Sequence, residues 1–297
     1  MLKEVVTFII HLRPHYQVLV LSGGYLLGGL MSADMHHEQY WLQFLNVHLL
    51  LFGGATAYNS YWDKDEGPVG GLKNPPLMKK WMHPASLLLQ LTGFVIALSV
   101  GLFYSLIYLF SFFLFWIYST PHFRWKGRPV LSLFVIAIST GTNSVFLGNL
   151  AAGGNLSVIV VAGAVGAALI LTSLYPVSQI FQLSEDKKRG DMTFAVQYGK
   201  PAVKKFFRFA FLAGLLLTTL ALYNIYVIPS LLFGSTGFLA WIFLYFRIKD
   251  LQGFRDEYEK VMNIKFTASL SFVIFLMISI LIIHGDVNMS LIKEILK

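Results

Sequence analysis

Nine apolar stretches, each long enough to cross a lipid bilayer, constrain what this chain can fold into. A helix needs about 20 mostly apolar residues to cross the hydrocarbon core. Because that core offers no water to backbone N–H and C=O groups, stretches of this length span it as α-helices. The sequence therefore predicts an all-α integral membrane protein with about nine transmembrane helices, at residues 15–33, 42–61, 85–103, 104–120, 129–150, 156–180, 204–223, 226–246 and 265–284.

The composition supports a membrane location and excludes several kinds of site. Hydrophobic residues make up 56% of the chain and charged residues 13%, whereas soluble domains carry about 25% charged residues. The mean hydropathy is +0.65. The absence of cysteine excludes disulfides, iron–sulfur clusters and cysteine-ligated zinc. The net charge of +8 indicates orientation in the membrane rather than a nucleic-acid partner.

The basic residues are distributed unevenly between the two sides of the predicted bundle. With nine helices and a cytoplasmic N-terminus, 21 of the 23 Lys and Arg lie in cytoplasmic segments, and only Lys293 and Lys297 lie outside. Because positive charges are enriched on the cytoplasmic side, we expect a multi-pass protein of the bacterial cytoplasmic (inner) membrane with its C-terminus outside. The cytoplasmic connections are also the long ones. We therefore expect one domain, 1–297, whose functional side lies under cap loops at about 62–84 and 181–203.

Ionisable residues crowd at the cytoplasmic end of the second predicted helix, in "YNSYWDKDEG", residues 58–67. Charged groups at membrane depth are costly and mark functional sites. Residues at i, i+4 and i+7 share one face of a helix. Asn59, Asp63 and Glu66 therefore form a single polar stripe, and Asp65 points elsewhere.

A second cluster follows the sixth predicted helix, in "YPVSQIFQLSEDKKRGDMT", residues 175–193. The same helical spacing again produces a polar stripe. Its members are Tyr175, Gln179, Gln182 and Asp186, with Glu185 beside them. The two stripes lie on the same predicted side of the membrane, so we expect them to face each other.

Two facing stripes of this kind provide the oxygen ligands that Mg²⁺ prefers, together with phosphate oxygens. Nearby bases would neutralise the remaining phosphate charge, and an apolar cavity among the helices would suit a hydrophobic tail. The expected substrate is therefore a lipid diphosphate. The candidate metal ligands are Asn59, Asp63, Asp65, Glu66, Glu185, Asp186 and Asp191; the candidate phosphate-binding bases are Lys73, Arg124, Lys126 and Lys187. Alternatively, some of these acidic residues are only solvated groups at helix ends.

Three motifs carry a resemblance to a known family. Asn-x-x-x-Asp at the end of the second helix is supplied by Asn59 and Asp63. Tyr-Ser-x-Pro-x-x-Arg-x-Lys after the fourth helix is supplied by "YSTPHFRWK", that is, by Tyr118, Ser119, Pro121, Arg124 and Lys126. Asp followed by Gly and Thr after the sixth helix is supplied by Asp186, Gly190 and Thr193. With these motifs and an early "LRPH", the sequence resembles the UbiA superfamily of intramembrane prenyltransferases over nearly its whole length.

The chain departs from the family pattern at two acidic positions. Gly67 stands where the first motif ends in Asp, and Gln182 stands where the second begins with Asp. A neutral amide can offer its carbonyl oxygen to a metal but contributes no charge. Glu66 and Glu185 are the neighbouring residues that would replace the missing carboxylates.

The resemblance implies a UbiA-like bundle with a central cavity that opens to the cytoplasmic side. It implies a prenyltransferase that uses Mg²⁺ to transfer a prenyl group from an allylic (poly)prenyl diphosphate to an aromatic or other lipophilic acceptor in the membrane. The expected catalytic residues are Asp63, Asp186, Arg124 and Lys126. The expected diphosphate-binding residues are Asn59, Lys73, Tyr118, Arg124, Lys126, Gln182 and Lys187.

Two other functions are compatible with the pattern. A UbiA-type intramembrane terpene cyclase would ionise the same diphosphate and quench the cation internally, and the altered acidic motifs leave this open. A transporter of an anion or lipid would place its ionisable groups near the midplane of the membrane. The charges here gather at one side, which disfavours transport.

Overall fold

The regular secondary structure of the computed structural model, which describes residues 2–64 and 67–285, is helical. Short 3₁₀ turns and two π-helical segments, Asn46–Phe52 and Ala137–Thr142, connect or continue the α-helices. The α-helices are α1 Leu2–Leu12, α2 Pro14–Val20, α3 Gly23–Leu30, α4 His37–Leu45, α5 Gly53–Asp63, α6 Met82–Ala97, α7 Leu102–Ser119, α8 Pro129–Ile136, α9 Asn143–Ala151, α10 Val158–Leu174, α11 Leu183–Arg189, α12 Phe194–Tyr223, α13 Val227–Lys249 and α14 Tyr258–Ile283.

The structure confirms the prediction of a multi-pass helical membrane protein. The predicted number of nine transmembrane helices is approximate. Within the described residues, six helical stretches are long and apolar enough to cross a membrane, and Met82–Ala97 is a shorter apolar helix. The six are Leu102–Ser119, Pro129–Ala151, Val158–Arg189, Phe194–Tyr223, Val227–Lys249 and Arg255–Ile283.

The first two predicted spans are interrupted helices. The predicted span 15–33 is divided into α2 and α3 by a break at Leu21 and Ser22. The predicted span 42–61 passes from α4 to α5 through a π-helical segment. A π-helical turn inserts an extra residue and is common near functional sites, and here it precedes the helix that carries the first polar stripe.

Helices α3 and α9 cross at glycine, with backbone against backbone. A Cβ atom added to Gly28 would lie 2.0 Å from the carbonyl oxygen of Val145, and one added to Gly148 would lie 1.9 Å from that of Tyr25. Small residues let membrane helices approach this closely. The crossing therefore helps to fix the centre of the bundle.

The two predicted cap segments lie together over one end of the bundle. The amide of Gln182 donates to the carbonyl of Pro68 at 3.3 Å, which joins them directly. The prediction of a loop at 181–203 is wrong for most of that segment, because it contains α11 and the first turns of α12. Acidic residues in the first turn of α11 and basic residues in its last turn match the helix dipole, and Gly190 ends it with a left-handed φ of 76°.

Candidate active site

Asn59 and Asp63 lie one turn apart at the end of α5, and both accept hydrogen bonds from Lys126. The amide of Asn59 donates to Asp63 Oδ2 at 2.9 Å. The Lys126 ammonium donates to Asn59 Oδ1 at 2.8 Å and also to Asp63 Oδ1. The side chains of Asp63 and Lys126 are only 11% and 9% exposed. The first stripe thus binds a positively charged group, the ammonium of Lys126, which comes from the segment between α7 and α8.

Arg124 connects this segment to the one that follows α11. Its guanidinium makes a bidentate pair with Asp191, from Nε to Oδ1 at 2.8 Å and from Nη2 to Oδ2 at 2.8 Å. It also lies 3.6 Å from Asp63 Oδ1. The hydrogen bonds to Asp191 raise the pKa of Arg124 above its usual value, so the guanidinium is always charged.

Asp186 is buried on the second stripe and has two partners. Thr193 donates its hydroxyl to Asp186 Oδ2 at 3.0 Å, and Arg189 Nη2 lies 3.5 Å from Oδ1. Arg189 also lies 3.6 Å from Glu185 Oε1 and 3.9 Å from Asp191 Oδ2. The Arg189 guanidinium therefore lies within 4 Å of three carboxylates of this segment.

These side chains surround a polar cavity of about 140 Å³ between the two stripes. The cavity is lined by Arg13, Asn59, Asp63, Val69, Gly70, Tyr118, Lys126, Tyr175, Ser178, Gln179, Gln182, Asp186, Arg189, Asp191 and Thr193. Among these, three carboxylates face Arg13, Lys126 and Arg189, so the described charges are balanced. A dianionic or trianionic ligand that entered the cavity would compete with the three carboxylates for hydrogen bonds from these bases.

The polar cavity continues into the apolar interior of the bundle. A mixed cavity of about 250 Å³ shares six of its lining residues, Arg13, Asn59, Gly70, Tyr118, Tyr175 and Ser178. An apolar cavity of about 370 Å³ follows, and it shares Val20, Leu21, Thr140, Leu171, Leu174 and Ser269 with the mixed cavity. The Tyr118 and Tyr175 hydroxyls, 2.7 Å apart, lie at the junction between the charged and apolar parts.

A further chamber of about 440 Å³, here called the outer chamber, lies beside the polar cavity. Asp63 and Arg189 line both spaces, so the two are neighbours. The outer chamber is lined by Asp63, Lys64, Pro68, Phe181, Ser184, Glu185, Lys188, Arg189 and Arg255.

The oxygen donors around the polar cavity fit a hard divalent cation. Carboxylates of Asp63 and Asp186 and amide oxygens of Asn59 and Gln182 line one small space, and such oxygens are the ligands that Mg²⁺ takes. In the part of the chain that is described, no three His, Cys, Asp or Glu side chains form a metal cluster by themselves. The remaining ligands of a bound Mg²⁺ would therefore be phosphate oxygens and water.

Most of the residues predicted for the site are brought together. Asn59, Asp63, Tyr118, Lys126, Gln182, Asp186 and Asp191 line the polar cavity, Arg124 contacts two of these carboxylates, and Glu185 lines the outer chamber. Lys73 instead pairs with Glu259 at the start of α14, with 65% of its side chain exposed. Lys187 is exposed and lines none of these cavities. Asp65 and Glu66 lie outside the described residues.

Several lining residues were not among the predicted site residues. Arg13 is buried, and it donates to Ser60 Oγ at 2.9 Å and to the Gly70 carbonyl at 2.5 Å. Its signal in the sequence was the motif "LRPH". Arg189 was detectable from its spacing, because it lies three and four residues after Asp186 and Glu185. Arg255 comes from a distant loop, and no local pattern marks it.

Comparison with known protein families identifies one family. The family model of the UbiA prenyltransferase family matches residues 20–284. The search of curated proteins found no match. A UbiA homologue from Archaeoglobus fulgidus, solved with GPP and Mg²⁺, is similar over 92% of this chain and 99% of its own, with a TM-score of 0.72 and 16% identity.

Two further solved structures share the fold. The same homologue with DMAPP and Mg²⁺ gives a TM-score of 0.70 at 15% identity. A structure of digeranylgeranylglyceryl phosphate synthase gives 0.62 at 18% identity. Each covers 92% of this chain and 99% of the other. With the family model matched over most of its length, this chain belongs to the UbiA prenyltransferase family.

Proposed function

We propose that this protein transfers a prenyl group from an allylic (poly)prenyl diphosphate to an aromatic or other lipophilic acceptor in the membrane. The observation that carries the proposal is the continuity of the cavity. It begins among charged residues at one end of the bundle and continues, past Tyr118 and Tyr175, into a space lined by apolar side chains. A diphosphate head and a prenyl tail match these two ends.

The proposed cofactor is Mg²⁺, held by Asn59, Asp63, Gln182 and Asp186. The solved structures of the Archaeoglobus fulgidus homologue with GPP or DMAPP and Mg²⁺ support this assignment. When bound, the ion neutralises charge that develops on the leaving diphosphate. The roles of Asp65, Glu66, Glu185 and Asp191 as additional ligands, and those of Lys73 and Lys187 as phosphate-binding bases, stay predictions.

The protein's own bases assist departure of the diphosphate. Lys126, Arg13 and Arg189 line the polar cavity, and each donates hydrogen bonds to anionic oxygens more strongly than a neutral donor would. Positioned donors that act where negative charge develops lower the barrier to ionisation of the allylic C–O bond. Arg124, fixed by Asp191, holds the segment that presents Lys126.

Aromatic side chains then surround the allylic carbon. Tyr118, Tyr175, Phe52 and Phe115 line the mixed cavity between the charged end and the tail cavity. The face of an aromatic ring attracts a cation, so these rings stabilise the developing allylic cation. The apolar walls also exclude water, which would otherwise capture the cation instead of the acceptor.

One experiment tests the proposal against both alternatives. Purified protein is incubated with Mg²⁺, a radiolabelled allylic diphosphate and lipophilic aromatic acceptors, and the lipid extract is separated. A prenylated acceptor supports the proposal. A cyclised hydrocarbon formed without acceptor would identify a terpene cyclase, and no turnover of any allylic diphosphate would leave a transporter as the better reading.

A further inference from the structure

Gly67 lies directly beneath the guanidinium group of Arg255. A Cβ atom added to Gly67 would lie 2.2 Å from Arg255 Nη2 and 3.1 Å from Glu185 Oε2. Gly67 is buried, and its φ is not in the left-handed region that favours glycine. The absence of a side chain at Gly67 is therefore explained by the space that the guanidinium occupies, not by backbone conformation.

The turn that carries Arg255 is well anchored. The buried Glu257 carboxylate accepts backbone N–H groups from Gln252 at 2.8 Å, Gly253 at 2.6 Å and Phe254 at 3.1 Å. Three charge-assisted hydrogen bonds of this kind hold a loop firmly. The position of Arg255 over Gly67 is thus set by the loop between α13 and α14.

Arg255 lines the outer chamber together with other bases. Lys64, Lys188 and Arg189 line it as well, whereas Asp63 and Glu185 are its acidic residues. Among the described residues Arg255 forms no ion pair within 4.0 Å. The neighbouring Glu185 pairs instead with Arg189, at 3.6 Å. The guanidinium is therefore available to an anion that enters from the neighbouring polar cavity.

We propose that Arg255 binds the terminal phosphate of the diphosphate in the outer chamber, and that Gly67 provides the room for its guanidinium. The inference rests on the proposed function, because it assigns a further residue to the same diphosphate. A planar guanidinium can make two parallel hydrogen bonds to phosphate oxygens, which a lysine ammonium cannot. Arg255 would bind the substrate before transfer and the diphosphate product after it.

The test is the affinity for inorganic diphosphate, measured by titration calorimetry on the full-length protein in detergent with Mg²⁺ present. Arg255→Gln should raise Kd about tenfold, as expected for a lost hydrogen bond to a charged group, and Arg255→Lys should fall between it and the wild type. Gly67→Ala should have a similar effect, because the new methyl group displaces the guanidinium. The double variant Gly67→Ala/Arg255→Gln should bind no more weakly than Arg255→Gln alone.

The matched control is Arg128→Gln. Arg128 is an exposed arginine in the neighbouring segment before α8, and it lines none of the cavities, so its removal should leave Kd unchanged. Size-exclusion profiles and thermal unfolding identify any variant that misfolds.

A Kd for Arg255→Gln within twofold of the wild type would overturn the inference, as would additive effects of the two substitutions or no diphosphate binding by the wild type. The proposed function is tested separately by prenyl transfer in the wild type. Normal transfer with an unaffected Arg255→Gln would reject only the role of Arg255.

Discussion

At the scale of single residues, the site consists of buried carboxylates that each have a basic partner. Asp63 is held by Lys126, Asp186 by Arg189 and Asp191 by Arg124. Breaking a buried ion pair by removing one member is costly, because the other charge is left without compensation. A diphosphate and its metal ion can enter at a lower cost, since the ligand supplies new anionic oxygens to the bases and the metal ion supplies positive charge to the carboxylates.

Asp63→Asn and Asp186→Asn should each lower prenyl transfer about 10²–10³-fold, the typical loss when one group that stabilises developing charge is removed. The amide keeps the shape of the carboxylate but attracts Mg²⁺ weakly. The measurement is steady-state kcat/KM for an allylic diphosphate. Chelation should abolish activity in the wild type, and added Mg²⁺ should restore it.

Glu38→Gln is the control for these substitutions, because Glu38 is an exposed carboxylate in the first turn of α4. It should retain the wild-type rate. Near-normal rates in Asp63→Asn and Asp186→Asn would show that the two buried carboxylates only form structural ion pairs and take no part in catalysis.

The sequence predicted the first stripe well because Asn59 and Asp63 follow one another on α5, whereas the second stripe passes from the 3₁₀ segment Pro176–Gln182 into α11. Spacing of three or four residues fixes a shared face, so the pairing of Asn59 with Asp63 was predictable. It does not fix which residue of a basic run faces inward: Lys188 lines the outer chamber, whereas Lys187 does not, since adjacent helical residues differ by about 100°. Contacts between distant segments, such as Lys73 with Glu259, have no local signal.

At the scale of helices, hydropathy located the apolar segments but not their interruptions. An apolar run reads the same whether the helix is continuous, broken as between α2 and α3, or widened by a π-helical segment. The residues 181–203 were expected to be a loop because they are polar. They nevertheless form α11 and the first turns of α12. A charge order that matches the helix dipole and a terminal Gly190 favour the short helix α11.

The crossing of α3 and α9 predicts a strong steric effect. Gly28→Ala would place a methyl group 2.0 Å from the Val145 carbonyl oxygen, so the helices must separate. Overpacking of this kind costs about 1–3 kcal/mol, and more where backbone is the obstacle. Thermal unfolding of the purified protein in detergent should show a clear decrease in Tm.

Gly53→Ala is the matched control for this substitution. Gly53 is also helical, but a Cβ atom there would meet no neighbour closer than 3.4 Å. Alanine is favoured over glycine inside a helix by about 1 kcal/mol, so Gly53→Ala should have an equal or higher Tm. Equal Tm values for the two variants would contradict the backbone contact between α3 and α9.

At the scale of the whole molecule, one continuous cavity runs from charged to apolar surroundings. Its apolar part lies between α3, α10, α12, α13 and α14. Four phenylalanine rings line this part, and three of them pack together: Phe233 lies 5.4 Å from Phe272 and 5.8 Å from Phe275, measured between centroids. Phe272 also packs on Gly23, where a Cβ atom would lie 2.4 Å from its ring.

If the prenyl tail occupies this cavity as proposed, these rings should limit the length of the tail that it accepts. Phe272→Ala should extend the cavity and raise the ratio of kcat/KM for a longer to a shorter prenyl diphosphate about tenfold, as expected when an apolar pocket gains room for additional carbons. Phe238→Ala, which removes an exposed ring of α13 outside the cavity, should leave the ratio unchanged. An unchanged ratio in Phe272→Ala would place the tail elsewhere.

The orientation of the molecule in the membrane is the last expectation open to test. The two cap segments and the polar cavity lie at one end, where Gln182 contacts Pro68. The segment before α4 lies beside the segment between α9 and α10, because the N–H of His36 donates to the Ala152 carbonyl at 3.0 Å. The predicted outer loops 34–41 and 151–155 contain no Lys or Arg. Positive charge is retained on the cytoplasmic side, so the cavity should open there.

A reporter that is active only in the cytoplasm should therefore be active when inserted after Leu77, in the cap segment between α5 and α6. Leu77 is 80% exposed, lies outside the helices and lines none of the cavities, so an insertion there should not disturb the site. The same reporter inserted at Asn155, between α9 and α10, should be silent. Retained prenyl transfer in both fusions confirms that each one folds. The reverse pattern of reporter activity would place the polar cavity on the outer side, and the proposed allylic diphosphate would then have to be supplied there.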